Sequence, residues 1–261
     1  MKKIILIATA FIFALTGFAQ SEQEKGLEIA KKAEIADEGF GSSSVKITMV
    51  LTNRQGQKST RYMESQTLEL QADGDKSLIV FNSPTDVKGT ATLTFTHKEG
   101  SDDQWLYLPA IKRTKRISSN NKSGPFVGSE FAYEDLSSQE VEKYTYAFLK
   151  EESVNGENAY VVQRNPVDPK SGYTRQVVWF IKDNDYRVIK VDYYDRKNEL
   201  LKTLTYAKYQ KYLNKHWRAG EFNMVNHQTG KATQLVFEGY EFQVGLKEND
   251  FTQNALIRAG R

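Results

Sequence analysis

The residues best equipped for chemistry lie in one stretch, "PAIKRTKRISSNNKSGPFVGSEFAYEDLS", from Pro109 to Ser137. Lys112, Arg113, Lys115 and Arg116 open it, and a guanidinium can grip a phosphate or carboxylate through two parallel hydrogen bonds. Read as a strand, the run places Ile111, Arg113, Lys115 and Ile117 on one side and Lys112, Thr114 and Arg116 on the other. Charge of this kind protects an exposed sheet edge from pairing with another chain. It also suits a cavity rim, where Arg113, Lys115 and Arg116 could meet phosphate or an acidic partner protein. Aromatic residues follow in a glycine-containing loop: Phe126, Phe131 and Tyr133, close to Gly124, Pro125 and Gly128. Such side chains either plug their own core or form a movable apolar flap. Upstream, Trp105 and Tyr107 alternate with Leu106 and Leu108, so both faces of that segment are apolar, as in a strand covered on each side. Trp105, Tyr107, Leu108, Ile111, Phe126, Phe131 and Tyr133 form the candidate ligand-binding set.

Covalent catalysis finds weak support in the same residues. Ser118 or Ser129 could act as a nucleophile with Glu130, Glu134 or Asp135 beside it, but no histidine is near in sequence. The S-x-x-K at Ser119–Lys122 and the K-S-G at Lys122–Gly124 overlap in one loop, whereas penicillin-interacting enzymes carry these elements apart. His97, His216 and His227 lack ligand spacing, and "DGD" at Asp73–Asp75 and "DND" at Asp183–Asp185 read as hairpin turns rather than calcium loops. A binding protein without metal or cofactor is the expectation, with a lipid-acting hydrolase as the alternative.

The elements that must position these residues are mostly strands. Val45, Ile47, Met49 and Leu51 share one face of "SVKITMVLTNR". Ala91, Leu93 and Phe95 oppose Thr90, Thr92, Thr94 and Thr96, and Thr233, Leu235 and Phe237 oppose Gln234 and Glu238. A period of two with one apolar and one wetter face predicts antiparallel strands, and the turns between runs suggest ten to twelve. Near the start, Leu27, Ile29, Ala30, Ala33 and Ile35 predict an amphipathic helix, capped by Ser21 with Glu24 and stopped by Gly39 and Gly41. Long meandering strands twist and curl, so the expected architecture is a half-closed barrel. Helix and loop form its lid over an apolar cavity.

The opening "MKKIILIATAFIFALTGFAQ" reads as a signal peptide over residues 1–19, leaving 20–261 as one exported domain located in the periplasm. The chain has no cysteine, which excludes disulfides, thiol catalysis and Cys-ligated zinc. Its formal charge is +3, or +1 once Lys2 and Lys3 are gone, so composition offers no electrostatic case for nucleic acid. A monomer is expected.

The segments "LIVFNSPTDVKGTATLTF", "DDQWLYLPAIKRTKRISSNNKSGPFVGSEFAYEDL" and "NHQTGKATQLVFEGYEFQVGLKENDFTQNAL" together resemble the outer membrane lipoprotein-sorting proteins, which are LolA-like. The resemblance covers nearly all of the chain after residue 19. It implies a mainly β (α+β) fold: a curled antiparallel half-barrel of about eleven strands, with helices and a loop over its concave face. It also implies a carrier that takes the acyl chains of lipoproteins or phospholipids towards the outer membrane or an export system. An inner-membrane transporter or a pump of the resistance–nodulation–division type is the partner it suggests. A non-carrier accessory of such a pump is the other implied role.

Overall fold

A computed structural model describes residues 22–183 and 185–261; the leader at 1–19 and the capping residue Ser21 lie outside the described residues. The first helix, α1, spans residues 22–37. Ile29 and Ala30 are buried and Leu27 and Ala33 pack against the core, as the apolar spacing requires, whereas Ile35 is exposed. Gly39 and Gly41 end the helix with positive φ (95° and 75°), and both N–H groups donate to the Glu69 carboxylate at 2.6 Å. Within α1, Gly26 is dictated by contact: a Cβ there would come within 2.8 Å of the Phe148 backbone nitrogen.

Thirteen strands follow among the described residues, rather than about eleven, all in one antiparallel sheet. They are β1 (Ser42–Thr52), β2 (Lys58–Leu68), β3 (Lys76–Ser83), β4 (Ala91–Phe95), β5 (Asp103–Leu108), β6 (Arg113–Ile117) and β7 (Tyr144–Val154). The second half comprises β8 (Glu157–Pro166), β9 (Tyr173–Ile181), β10 (Val188–Asp195), β11 (Leu200–Tyr212), β12 (His216–Asn226) and β13 (Ala232–Phe242). β4 and β6, five residues each, are short enough to escape a count of apolar runs. The order is β6-β5-β4-β3-β2-β1-β13-β12-β11-β10-β9-β8-β7. First and last strands therefore meet mid-sheet, with Met49 opposite Leu235. The two free edges, β6 and β7, are consecutive in sequence. Residues 118–143, which join them, must cross from one edge of the curled sheet to the other.

The sheet is covered on both faces at one end. The interior carries Met49, Met63, Ile79, Phe81, Val178, Phe180, Val191, Leu204, Met224 and Leu235. On the opposite face of β3–β5, Leu78, Ala91, Leu93 and Tyr107 pack against Phe251 and Leu256 of the C-terminal segment, which carries α2 (Gln253–Ala259). Thr252 caps that helix by accepting the Ala255 N–H at 3.1 Å. In β4 the threonine face is buried as well as the apolar one. Its apolar side lies under α2, and Thr90, Thr92, Thr94 and Thr96 are buried on the other side. There, Thr94 accepts from Gln104 at 3.3 Å and Thr96 accepts the Ser138 N–H at 3.2 Å. Alternation identifies the two faces of a strand but not which one points inward.

Candidate functional site

The aromatic loop fills one half of the concave face. Phe126, Phe131 and Tyr133 are 0%, 2% and 8% exposed, and Phe126 lies between Phe81 and Tyr133 at ring-centre distances of 5.6 and 5.7 Å. The loop turns at Gly128 (φ 76°). Its polar groups are tied to the sheet wall at many points. Glu130 N–H donates to Thr233 Oγ1 at 3.0 Å, and Glu130 Oε2 accepts from Asn226 at 2.7 Å. Glu134 accepts from the Ser171 hydroxyl and the Gly172 N–H, each at 2.8 Å. Gln104 donates to the Tyr133 carbonyl at 3.0 Å, and Arg61 donates to that of Val127.

At the centre lies a buried ion pair, Lys202 Nζ to Asp135 Oδ2 at 2.6 Å. Lys202 also donates to the Glu130 carbonyl at 2.9 Å. Asp135 accepts from the Tyr173 hydroxyl at 2.8 Å and the Ala132 N–H at 2.7 Å. Burial raises the Tyr173 phenol well above its usual range, keeping it a hydrogen donor to Asp135. The arrangement is a plug bonded to the sheet wall through the buried Lys202–Asp135 pair.

The other predicted binding residues lie elsewhere on the sheet and its turns. Trp105 and Tyr107 lie on the opposite face under α2, while Leu106 reaches the interior. Ile111 is 59% exposed in the short turn between β5 and β6. Leu108 ends β5 just before that turn. Arg113, Lys115 and Arg116 are exposed on the edge strand β6. Arg116 pairs with Asp103; Arg113 and Lys115 make no ion pair among the described residues. Ser129 is buried, with its hydroxyl turned to the Phe131 backbone, and no histidine hydrogen-bonds to it.

A space of about 450 Å³ borders the loop at Glu130, Phe131, Tyr173 and Lys202, and a larger open volume is in the other half. A cavity of about 850 Å³ lies between α1, the segment 138–141 and strands β8–β13, and none of the seven predicted binding residues lines it. Its floor is apolar and aromatic: Val178, Phe180, Val191, Tyr206, Phe222 and Tyr240. Ala30 and Ala33 of α1 form part of its cover. The size falls within the range of small-molecule sites. The missed signal was the inward pattern of β9–β12 combined with small residues on the α1 face, which leave room beneath the helix.

Charged groups concentrate at one side of this cavity. Glu34, Glu140 and Glu142 place carboxylate oxygens within 4.8 Å of one another. Burial pushes Glu140 up to about 7 and Asp75 up to about 6; neighbouring carboxylates add to both. Glu34 is raised chiefly by burial as well. Arg164, 8% exposed, donates to Gln176 at 2.8 Å and Gln139 at 2.9 Å and lies 4.5 Å from the Tyr144 ring centre.

Comparison with known proteins agrees with this architecture. A crystal structure of an outer membrane lipoprotein-sorting protein domain from Vibrio parahaemolyticus is 56% identical, with a TM-score of 0.89 over 90% of this chain and 100% of that one. A DUF1329 family protein from Desulfovibrio piger is 29% identical, TM-score 0.84, over 90% of this chain and 99% of that one. A LolA superfamily protein from Nitrosomonas europaea shares the fold at 20% identity and TM-score 0.70, over 91% and 98% of the two chains. A family model described as "Uncharacterized protein" matches residues 73–258. No match was found among curated proteins.

Proposed function

Because the chain belongs to the outer membrane lipoprotein-sorting protein family, we propose that its cavity takes the acyl chain of a lipoprotein or phospholipid. In this reading the protein is a non-enzymatic periplasmic carrier that passes the ligand towards the outer membrane or an export system. The observation that carries it is the contrast between the two halves of the concave face. One is filled by a tightly bonded plug, and the other keeps about 850 Å³ open over an apolar floor. Burying ten methylene groups there contributes about 8 kcal/mol before ordering costs, so tight binding needs no covalent step. Release then requires a partner that favours an emptied state, since a ligand held equally in both states is never handed over.

Ala219 is buried on β12 and lines the cavity, so Ala219→Trp fills the space from within. Native mass spectrometry of wild-type protein from a membrane-containing host should show bound lipid or acylated peptide, and the folded variant should be empty. A wild type that purifies empty and takes up no fluorescent fatty acid defeats the proposal. Arg113 and Lys115, exposed on β6 and outside the cavity wall, serve an acidic docking partner such as an inner-membrane transporter. The double change Arg113→Gln, Lys115→Gln should reduce transfer between membranes several-fold while ligand uptake is unchanged. Equal loss of both argues against this division.

A further inference from the structure

We infer that the cavity selects a zwitterionic amphiphile, with an ammonium group at Glu34 and Glu140 and an anionic group beside Arg164. The inference rests on the carrier reading and adds a headgroup to it. Going inward, Glu142 is exposed, Glu34 half-buried and Glu140 only 8% exposed, with all three within 4.8 Å. Glu140 lines the cavity and makes no side-chain hydrogen bond or ion pair among the described residues. A buried carboxylate without a partner is costly, and this one sits where a ligand would enter.

The nearby cations do not neutralise the group. Lys143 is engaged by Asp102, and Lys98 forms no ion pair with these carboxylates among the described residues. Burial first, then the carboxylates of Asp75 and Glu34, hold Glu140 up to about 7, and Lys143 and Lys98 pull it down without offsetting them. Arg164 is the complementary case. It is a buried guanidinium on the same cavity wall, and its two side-chain hydrogen bonds go to the neutral amides of Gln139 and Gln176. A guanidinium has five N–H donors, so capacity remains for a phosphate or carboxylate. Gln139, which Arg164 holds, directly precedes Glu140, so the two charged walls adjoin. Acid, guanidinium and apolar floor all line the one cavity, the three features that the amine, phosphate and chain of an aminophospholipid require.

Calorimetry at pH 8 with four C12 probes tests this: dodecanol, dodecylamine, dodecanoate and lauroyl lysophosphatidylethanolamine, each below its micelle concentration. The lysophospholipid should bind at least tenfold more tightly than dodecanol. Glu34→Gln and Glu140→Gln should each remove the advantage of the amine and spare dodecanoate. Arg164→Gln should do the reverse; Arg164→Lys, which keeps the charge, covers the case in which Arg164→Gln does not fold. Dodecanol binding as tightly as the lysophospholipid, or preferences that survive these changes, overturns the inference and leaves the carrier reading standing. Failure of all four probes, dodecanol included, overturns both. Calcium that binds alone and abolishes the amine preference assigns the carboxylates to a metal and overturns the inference.

Discussion

Lys202→Met is expected to destabilise the protein by about 3–5 kcal/mol, the scale for removing one member of a buried ion pair. Methionine keeps the length and apolar stem of the side chain, so the loss reports on charge rather than on a void. Asp135 would then retain the Tyr173 hydroxyl and the Ala132 N–H at 2.8 and 2.7 Å but lose its counter-charge. The Glu130 carbonyl would also lose its donor from Lys202. The double change Lys202→Met, Asp135→Leu should recover much of the loss, because it removes the orphaned carboxylate as well. Urea denaturation of the wild type and three variants gives the coupling. Additive single-mutant losses would mean that the pair does not lock the plug.

This lock explains why "FVGSEFAYEDL" is so particular. Gly128 makes the turn, Phe126 and Phe131 fill the interior, and Glu134 and Asp135 tie the loop to strands from the other half of the sheet. The sequence shows such a string as special without showing whether its task is ligand binding or closure. Composition is the same for both: aromatics for packing, glycine for the turn, acids for bonding. Only the long-range partners decide, and Lys202 is 67 residues away from Asp135.

Strand content, the N-terminal helix and the both-faced packing of β5 were legible because each rests on local periodicity. The C-terminal helix was not, since seven residues span barely two turns, too few to show a helical period. The cavity itself could not be read for a different reason. Its floor residues read as ordinary core, as the same Val, Phe and Tyr pattern serves a filled interior equally well. An unfilled volume is set by how closely α1 approaches the sheet, which Gly26 fixes at one end and the segment 138–141 at the other. The β6 cations were legible as an edge strand; their distance from the cavity follows from the plug occupying the half nearest to them.

Glu140→Gln should stabilise the folded protein at pH 8 by about 2 kcal/mol, below the full linkage value because water reaches the mouth. A carboxyl raised to about 7 by burial is bound to its proton more tightly in the folded chain than in the unfolded one. Its contribution to stability is therefore complete at pH values below its ordinary value near 4.5 and is lost as the pH rises through 7. Asp75, raised to about 6, acts in the same direction over a slightly lower range. The groups facing Glu140 are Glu34 of α1, Glu142, Asp75 just before β3, and Lys98 and Lys143. None of these four carboxylates can relieve another, because each adds negative charge. Wild-type stability should thus fall between pH 5 and pH 8 by more than that of Glu140→Gln, with the two curves meeting near pH 5. Chemical denaturation across that range reads the difference directly, and parallel curves would remove Glu140 as a source of stored cost. A ligand ammonium supplies the missing charge, so the same glutamate that weakens the empty protein at pH 8 should tighten its hold on an amine-bearing lipid. Stability is lower in the unliganded state for the same physical reason that the ligand is selected.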